Sequence, residues 1–117
     1  MLVSADWVSE RLEDASVVVL HAEMRESRYA AGHILGARFL DMTQLVWDGE
    51  QRLGDLFAEA GVDERDTVVA YWMVGWRASF TYFSARLLGY DTKFYDGSWH
   101  EWGTRDDLPR VMGTARR

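Results

Sequence analysis

Apolar and polar positions along the chain alternate between two periods. Ser4 stands ahead of a short stretch in which Val3, Trp7, Val8 and Leu12 recur at helical spacing, which predicts a capped helix. Val17-Val18-Val19-Leu20 is then an uninterrupted apolar run of the kind that fills a buried strand. A polar stretch read as loop follows, and Ala37-Arg38-Phe39-Leu40 predicts a short strand. Leu53, Leu56, Phe57 and Ala60 share one helical face, with Gly61 as the stop. Thr67-Val68-Val69-Ala70-Tyr71 predicts another buried strand. From Arg77 to Leu88, Ala78, Thr81, Tyr82, Ala85 and Leu88 recur at helical spacing until Gly89. Lys93-Phe94-Tyr95 predicts a last strand before an Asp96-Gly97 turn, and Ser98 is expected to cap a closing helix that carries His100. Strands alternating with helices, each strand apolar throughout, predict an α/β domain: three layers, a mostly parallel central sheet, helices on both faces.

A length of 117 residues fits one domain over 1–117, with the tail after about Pro109, the single proline, expected to leave the fold. Hydrophobic residues make up 48% and aromatics 14%, which excludes a disordered chain. A formal net charge of -6 without a basic run beyond Arg116-Arg117 argues against a nucleic-acid partner. No apolar run reaches the length of a membrane span, and Met1-Leu2-Val3-Ser4 lacks the layout of a signal peptide, so no membrane association and a cytoplasmic location are expected. His21, His33 and His100 show no metal-site spacing; structural roles are expected for them, and no metal or cofactor is implied. The chain has no cysteine, which removes disulfides, thiolate metal sites and thiol nucleophiles together.

Ligands in such sheets sit where a strand ends and a helix begins. Trp72-Met73-Val74-Gly75-Trp76-Arg77 makes that connection in six residues, and a glycine-bearing loop ahead of a helix aims backbone N–H groups at one point. Three motifs now carry a family resemblance. Ala31-Gly32-His33-Ile34-Leu35-Gly36-Ala37 resembles the Gly-His-Ile-Pro-Gly-Ala motif of rhodanese domains, with Leu35 for the proline. Tyr71 to Ser79 is similar to that family's Tyr-Cys-Arg-x-Gly-x-Arg-Ala-Ser, and Tyr95 to Trp102 to the closing Tyr-Asp-Gly-Ser-Trp-x-Glu-Trp of the thiosulfate and mercaptopyruvate sulfurtransferases. The resemblance covers nearly the whole chain and implies the rhodanese-like fold.

It also implies a lost activity. In the family, a cysteine at the position of Trp72 is a thiolate that accepts sulfur as a persulfide, and an indole offers neither lone pair nor titratable proton for that step. The arginine that follows the cysteine is Met73 here, and the family's Asp-x-Arg after the first strand is matched against His21-Ala22-Glu23-Met24-Arg25. Met24, Leu35, Trp72, Met73, Val74 and Trp76 are all apolar, and the resemblance implies that they gather around the old active-site mouth. Trp47, in a polar stretch, extends that face or lids a neighbouring helix.

Three readings stay open. The first is a protein-binding module that presents the 72–76 loop to a partner, where a buried anchor can contribute about 2 kcal/mol or more. The partner is another protein or a second copy of the chain. The one-sided changes lean towards an engineered interface, with a natural pseudo-enzyme as the other origin. The second is a silent structural or regulatory domain in which Trp72 or Trp76 turns inward. The third keeps an anion site or another activity at Gly75, Arg77 and Arg25.

Overall fold

The computed structural model describes residues 2–41, 55–71 and 89–116. Helix α1 (Ala5–Ser9) starts at the predicted cap: Ser4 is extended, and its hydroxyl oxygen accepts from the Trp7 N–H at 3.1 Å, satisfying one free donor of the first turn. Strand β1 (Val17–Glu23), helix α2 (Glu26–Ala30), β2 (His33–Ile34) and β3 (Arg38–Asp41) follow. Residues 55–59 are helical. Then come β4 (Thr67–Tyr71), β5 (Asp91–Phe94), helix α3 (Ser98–Trp102) and β6 (Arg110–Val111).

Among the described residues, four strands make a parallel sheet in the order β3-β1-β4-β5, and β2 pairs antiparallel with β6. Burial on both faces explains why these strands are apolar without alternation. On one face Val18, Leu20 and Ala22 of β1 pack with Leu40, Val68 and the helical residues Leu56 and Phe57. On the other, Val19 packs with Val69, Tyr71, Ala5 and Val8 of α1, and Trp102 of α3. Successive strand residues thus feed opposite layers, each closed by a helix. Gly61 ends the helical residues at φ +80°, a left-handed conformation that glycine adopts without a Cβ penalty. Leu53 and the predicted helix over 77–88 lie outside the described residues.

Four local expectations are corrected. β1 runs on through His21 and Glu23, both buried, because Leu20–Glu23 pair with Arg38–Asp41; the stretch read as loop also holds α2 and β2. β5 begins at Asp91 rather than Lys93, where its main chain pairs with Thr67 and its carboxylate accepts from the Thr67 hydroxyl at 2.9 Å. Ser98 does not cap α3: Gly97 occupies that position, while Ser98 sits at φ 53° and donates its hydroxyl to the Tyr95 carbonyl at 3.0 Å. Beyond Pro109 the chain stays on the fold, since β6 pairs with β2 and the Gly36 N–H donates to the Arg116 carbonyl at 2.7 Å. Among the described residues, no helix is long and apolar enough to cross a membrane.

Candidate functional site

The parallel register gathers the strand ends at one edge. His21 lies opposite Tyr71 and Ala70 opposite Phe94, so Glu23, Tyr71 and Tyr95 end on the same side, the carboxyl edge where open α/β sheets hold ligands. The sequence continues from Tyr71 into Trp72. Trp72, Met73, Val74, Gly75, Trp76 and Arg77 lie outside the described residues, as does Trp47. Met24 follows β1 at this edge and is 43% exposed, with Arg25, also exposed, beside it ahead of α2.

Leu35 is elsewhere. It lines a cleft of about 510 Å³ with Leu12, Ala15, Val17, Arg38 and Arg116, at the opposite end of β1 from Met24. The expectation that Met24 and Leu35 share one mouth is thereby corrected. The turn after β2 carries Leu35 away from the carboxyl edge, and its N–H donates to the Pro109 carbonyl at 3.3 Å.

Beneath the carboxyl edge lies a buried polar junction. The Tyr71 hydroxyl oxygen accepts from the Ile34 N–H at 3.0 Å and stands 2.9 Å from His21 Nδ1. The buried hydroxyl proton needs an acceptor, and the lone pair of Nδ1 provides it; His21 is then the Nε2–H tautomer, and its buried Nε2 has no hydrogen-bond partner among the described residues. Burial, then the charge of His33, hold the His21 imidazole well below its ordinary range, at about 3. Burial pushes the Tyr71 phenol well up, against the opposing effect of the Ile34 N–H. Tyr95, raised by burial and then by its bond to Glu101, donates to Oε1 of that residue at 2.6 Å and packs edge-on against Trp102. Tyr29 donates to the Ala37 carbonyl at 2.6 Å, and its ring stacks on His33 with centroids 3.7 Å apart.

His21 and the phenols of Tyr29, Tyr71 and Tyr95 are therefore neutral near pH 7 and committed to contacts within the fold. They form a rigid floor with no nucleophile among them. His21 and His33 are each bonded inside the fold, and His100 is exposed on α3. Among the described residues, no group of His, Asp or Glu side chains could hold a metal ion. Sequence reasoning missed the His21–Tyr71–Ile34 junction; the available signal was a histidine directly continuing the apolar run of β1.

Comparison with known proteins agrees with this architecture. The family model described as "Rhodanese-like domain" matches residues 4–105. A Haloferax volcanii protein named as a thiosulfate sulfurtransferase is 36% identical over 77% of this chain and 34% of its own length. The sulfur carrier protein TtuD of Thermus thermophilus is 32% identical over 87% of this chain and 39% of its own. The chain thus spans little more than a third of the length of these curated relatives. Among solved structures, an anaerobic ergothioneine biosynthesis enzyme from Chlorobium limicola superposes with a TM-score of 0.85 at 22% identity, over 97% of this chain and 32% of that one, a likeness of fold alone.

Proposed function

We propose that this chain, which belongs to the rhodanese-like domain family and contains no cysteine, is a sulfurtransferase-related domain without sulfur-transfer chemistry that works as a protein-binding module. The observation that carries this reading is the residue after β4. Tyr71 ends that strand at the carboxyl edge, and Trp72 follows it in the sequence where the family's thiolate would be. Persulfide formation needs a sulfur nucleophile, and this chain has none to offer. The substitutions Trp72, Met73, Val74 and Trp76 replace a cationic anion cradle with large apolar groups, the composition of an interaction hot spot. Met24, exposed at the same edge, adds a flexible apolar neighbour. The partner is a protein surface with a complementary apolar pocket, a second copy of this chain included.

Sedimentation equilibrium on the chain and on a Trp72→Ala/Trp76→Ala variant tests this. The expected result is that the parent associates while the variant is a folded monomer. A monomeric parent whose variant loses several kcal/mol of stability, as truncated core tryptophans do, overturns it in favour of a silent domain with those rings inside. Turnover of thiosulfate to thiocyanate by the purified chain would overturn the absence of sulfur transfer.

A further inference from the structure

We propose that residues 112–116 form a proton-dependent strap, closed over α2 and β2 by His33 only while both of its ring nitrogens carry hydrogen. His33 is fully buried, with Nδ1 2.9 Å from the Tyr29 carbonyl oxygen and Nε2 2.8 Å from that of Ala115. Carbonyl oxygens only accept. Both contacts are hydrogen bonds for the imidazolium; in either neutral tautomer one bare nitrogen lone pair faces a carbonyl oxygen, a buried clash of acceptors.

The two contacts are not equally able to yield. Tyr29 is four residues away, in the last turn of α2, and its ring lies flat on the imidazole at an interplanar angle of 8°. Ala115 is 82 residues away in the chain, in a segment whose residues are exposed. Two backbone hydrogen bonds also tie this segment: the Gly113 N–H donates to the Ala30 carbonyl at 2.6 Å and the Gly36 N–H to the Arg116 carbonyl at 2.7 Å. With little apolar burial to hold it, the tail is the partner that moves when a ring hydrogen is lost.

The charged and titratable surroundings decide which proton matters. On β1, His21 stays neutral. On β4, the Tyr71 hydroxyl is occupied by Ile34 and His21, and on α2 the Tyr29 hydroxyl donates to Ala37. On β6, the Arg110 guanidinium turns to the carbonyls of Gly103 and Arg105. Arg116 lies in the strap itself, and the two carbonyl oxygens accept from a doubly protonated ring. Both ring nitrogens are taken up by carbonyls, so no carboxylate shares the proton. Docking is therefore strongest at acid pH and is lost as pH rises and the ring gives up a hydrogen. Arg116 also lines both the 510 Å³ cleft beside β1 and an adjoining one of about 320 Å³ beside β3, and release of the strap withdraws its guanidinium from both walls.

This inference is independent of the 72–76 segment, and its test uses the whole 117-residue chain. Nitrogen-15 spectra of the His33 ring and hydrogen-exchange protection factors of the Gly36 and Gly113 amides are followed from about pH 5.5 to about pH 8. The expected result is a ring with both nitrogens protonated at the acid end, and protection of both amides falling about tenfold or more as one hydrogen leaves, with the Ile34 amide unaffected. In His33→Gln the pH dependence of both amides disappears. A singly protonated ring with Gly36 and Gly113 still protected, flat protection in the wild-type chain, or the same fall in His33→Gln would each overturn the strap. If His33→Gln does not fold, the wild-type ring and amide readings decide alone.

Discussion

Mild acid should weaken the fold through His21 before any carboxylate titrates appreciably. Its imidazole sits at about 3 in the folded chain and near the ordinary 6.5 in the unfolded one. Between those values the unfolded chain binds a proton that the folded chain refuses, so stability is intact above about pH 6.5, declines as pH falls through it, and levels off below the folded value. At pH 5 the unfolded state gains a factor of about 30 from protonation, which corresponds to about 2 kcal/mol lost relative to pH 7.5. The perturbation is His21→Gln, which keeps an acceptor for the Tyr71 hydroxyl and cannot titrate. Urea unfolding followed by tryptophan fluorescence, repeated across that pH window, measures both proteins. The wild-type stability should drop by about 2 kcal/mol more than that of the variant. Working with the difference removes the contributions of His33 and His100 to the extent that they are shared. Equal pH slopes in the two proteins would show that His21 takes up a proton in the folded state, and the buried-neutral assignment would fall with it.

Two further outcomes follow from the same geometry. Tyr71→Phe strips the Ile34 N–H and His21 Nδ1 of their shared hydroxyl inside the core, and should cost about 2–4 kcal/mol in urea unfolding, against about 1 kcal/mol if water can replace it. Gly61→Ala forces a Cβ into a left-handed position and to within 2.7 Å of Arg38 Nη1, and should lower stability by about 1–2 kcal/mol with no change in the slope against urea.

Much of the architecture was present in local pattern. The Ser4 cap, the runs Val17–Leu20 and Thr67–Tyr71, and the face of Leu56, Phe57 and Ala60 closing at Gly61 all appear in the structure, because each depends on neighbours a few residues apart. Chemistry was legible at the same level: the absence of cysteine excludes a thiolate whatever the fold does. The apolar character of Trp72, Met73, Val74 and Trp76 is likewise a property of the chain, although their positions lie outside the described residues.

Other features depended on contacts between residues far apart in sequence. His21 and Glu23 belong to β1 because β3 offers a pairing edge, and β3 begins fifteen residues after β1 ends. Leu35 stands in the family motif beside His33, yet its placement at the far end of the sheet follows from the pairing of β2 with β6. Ser98 looked like a cap by residue type, but the tight turn at Gly97 and the pull of the Tyr95 carbonyl put it in a left-handed conformation instead. Helix and strand periods are written in spacings of two to four residues, so the sequence by itself determined the capped first helix, the apolar runs of β1 and β4, the α/β class and the absence of a cysteine thiolate. Which buried polar groups meet, as when His33 finds the Ala115 carbonyl 82 residues away, is settled only by the packed chain, where an unpaired buried donor or acceptor costs free energy.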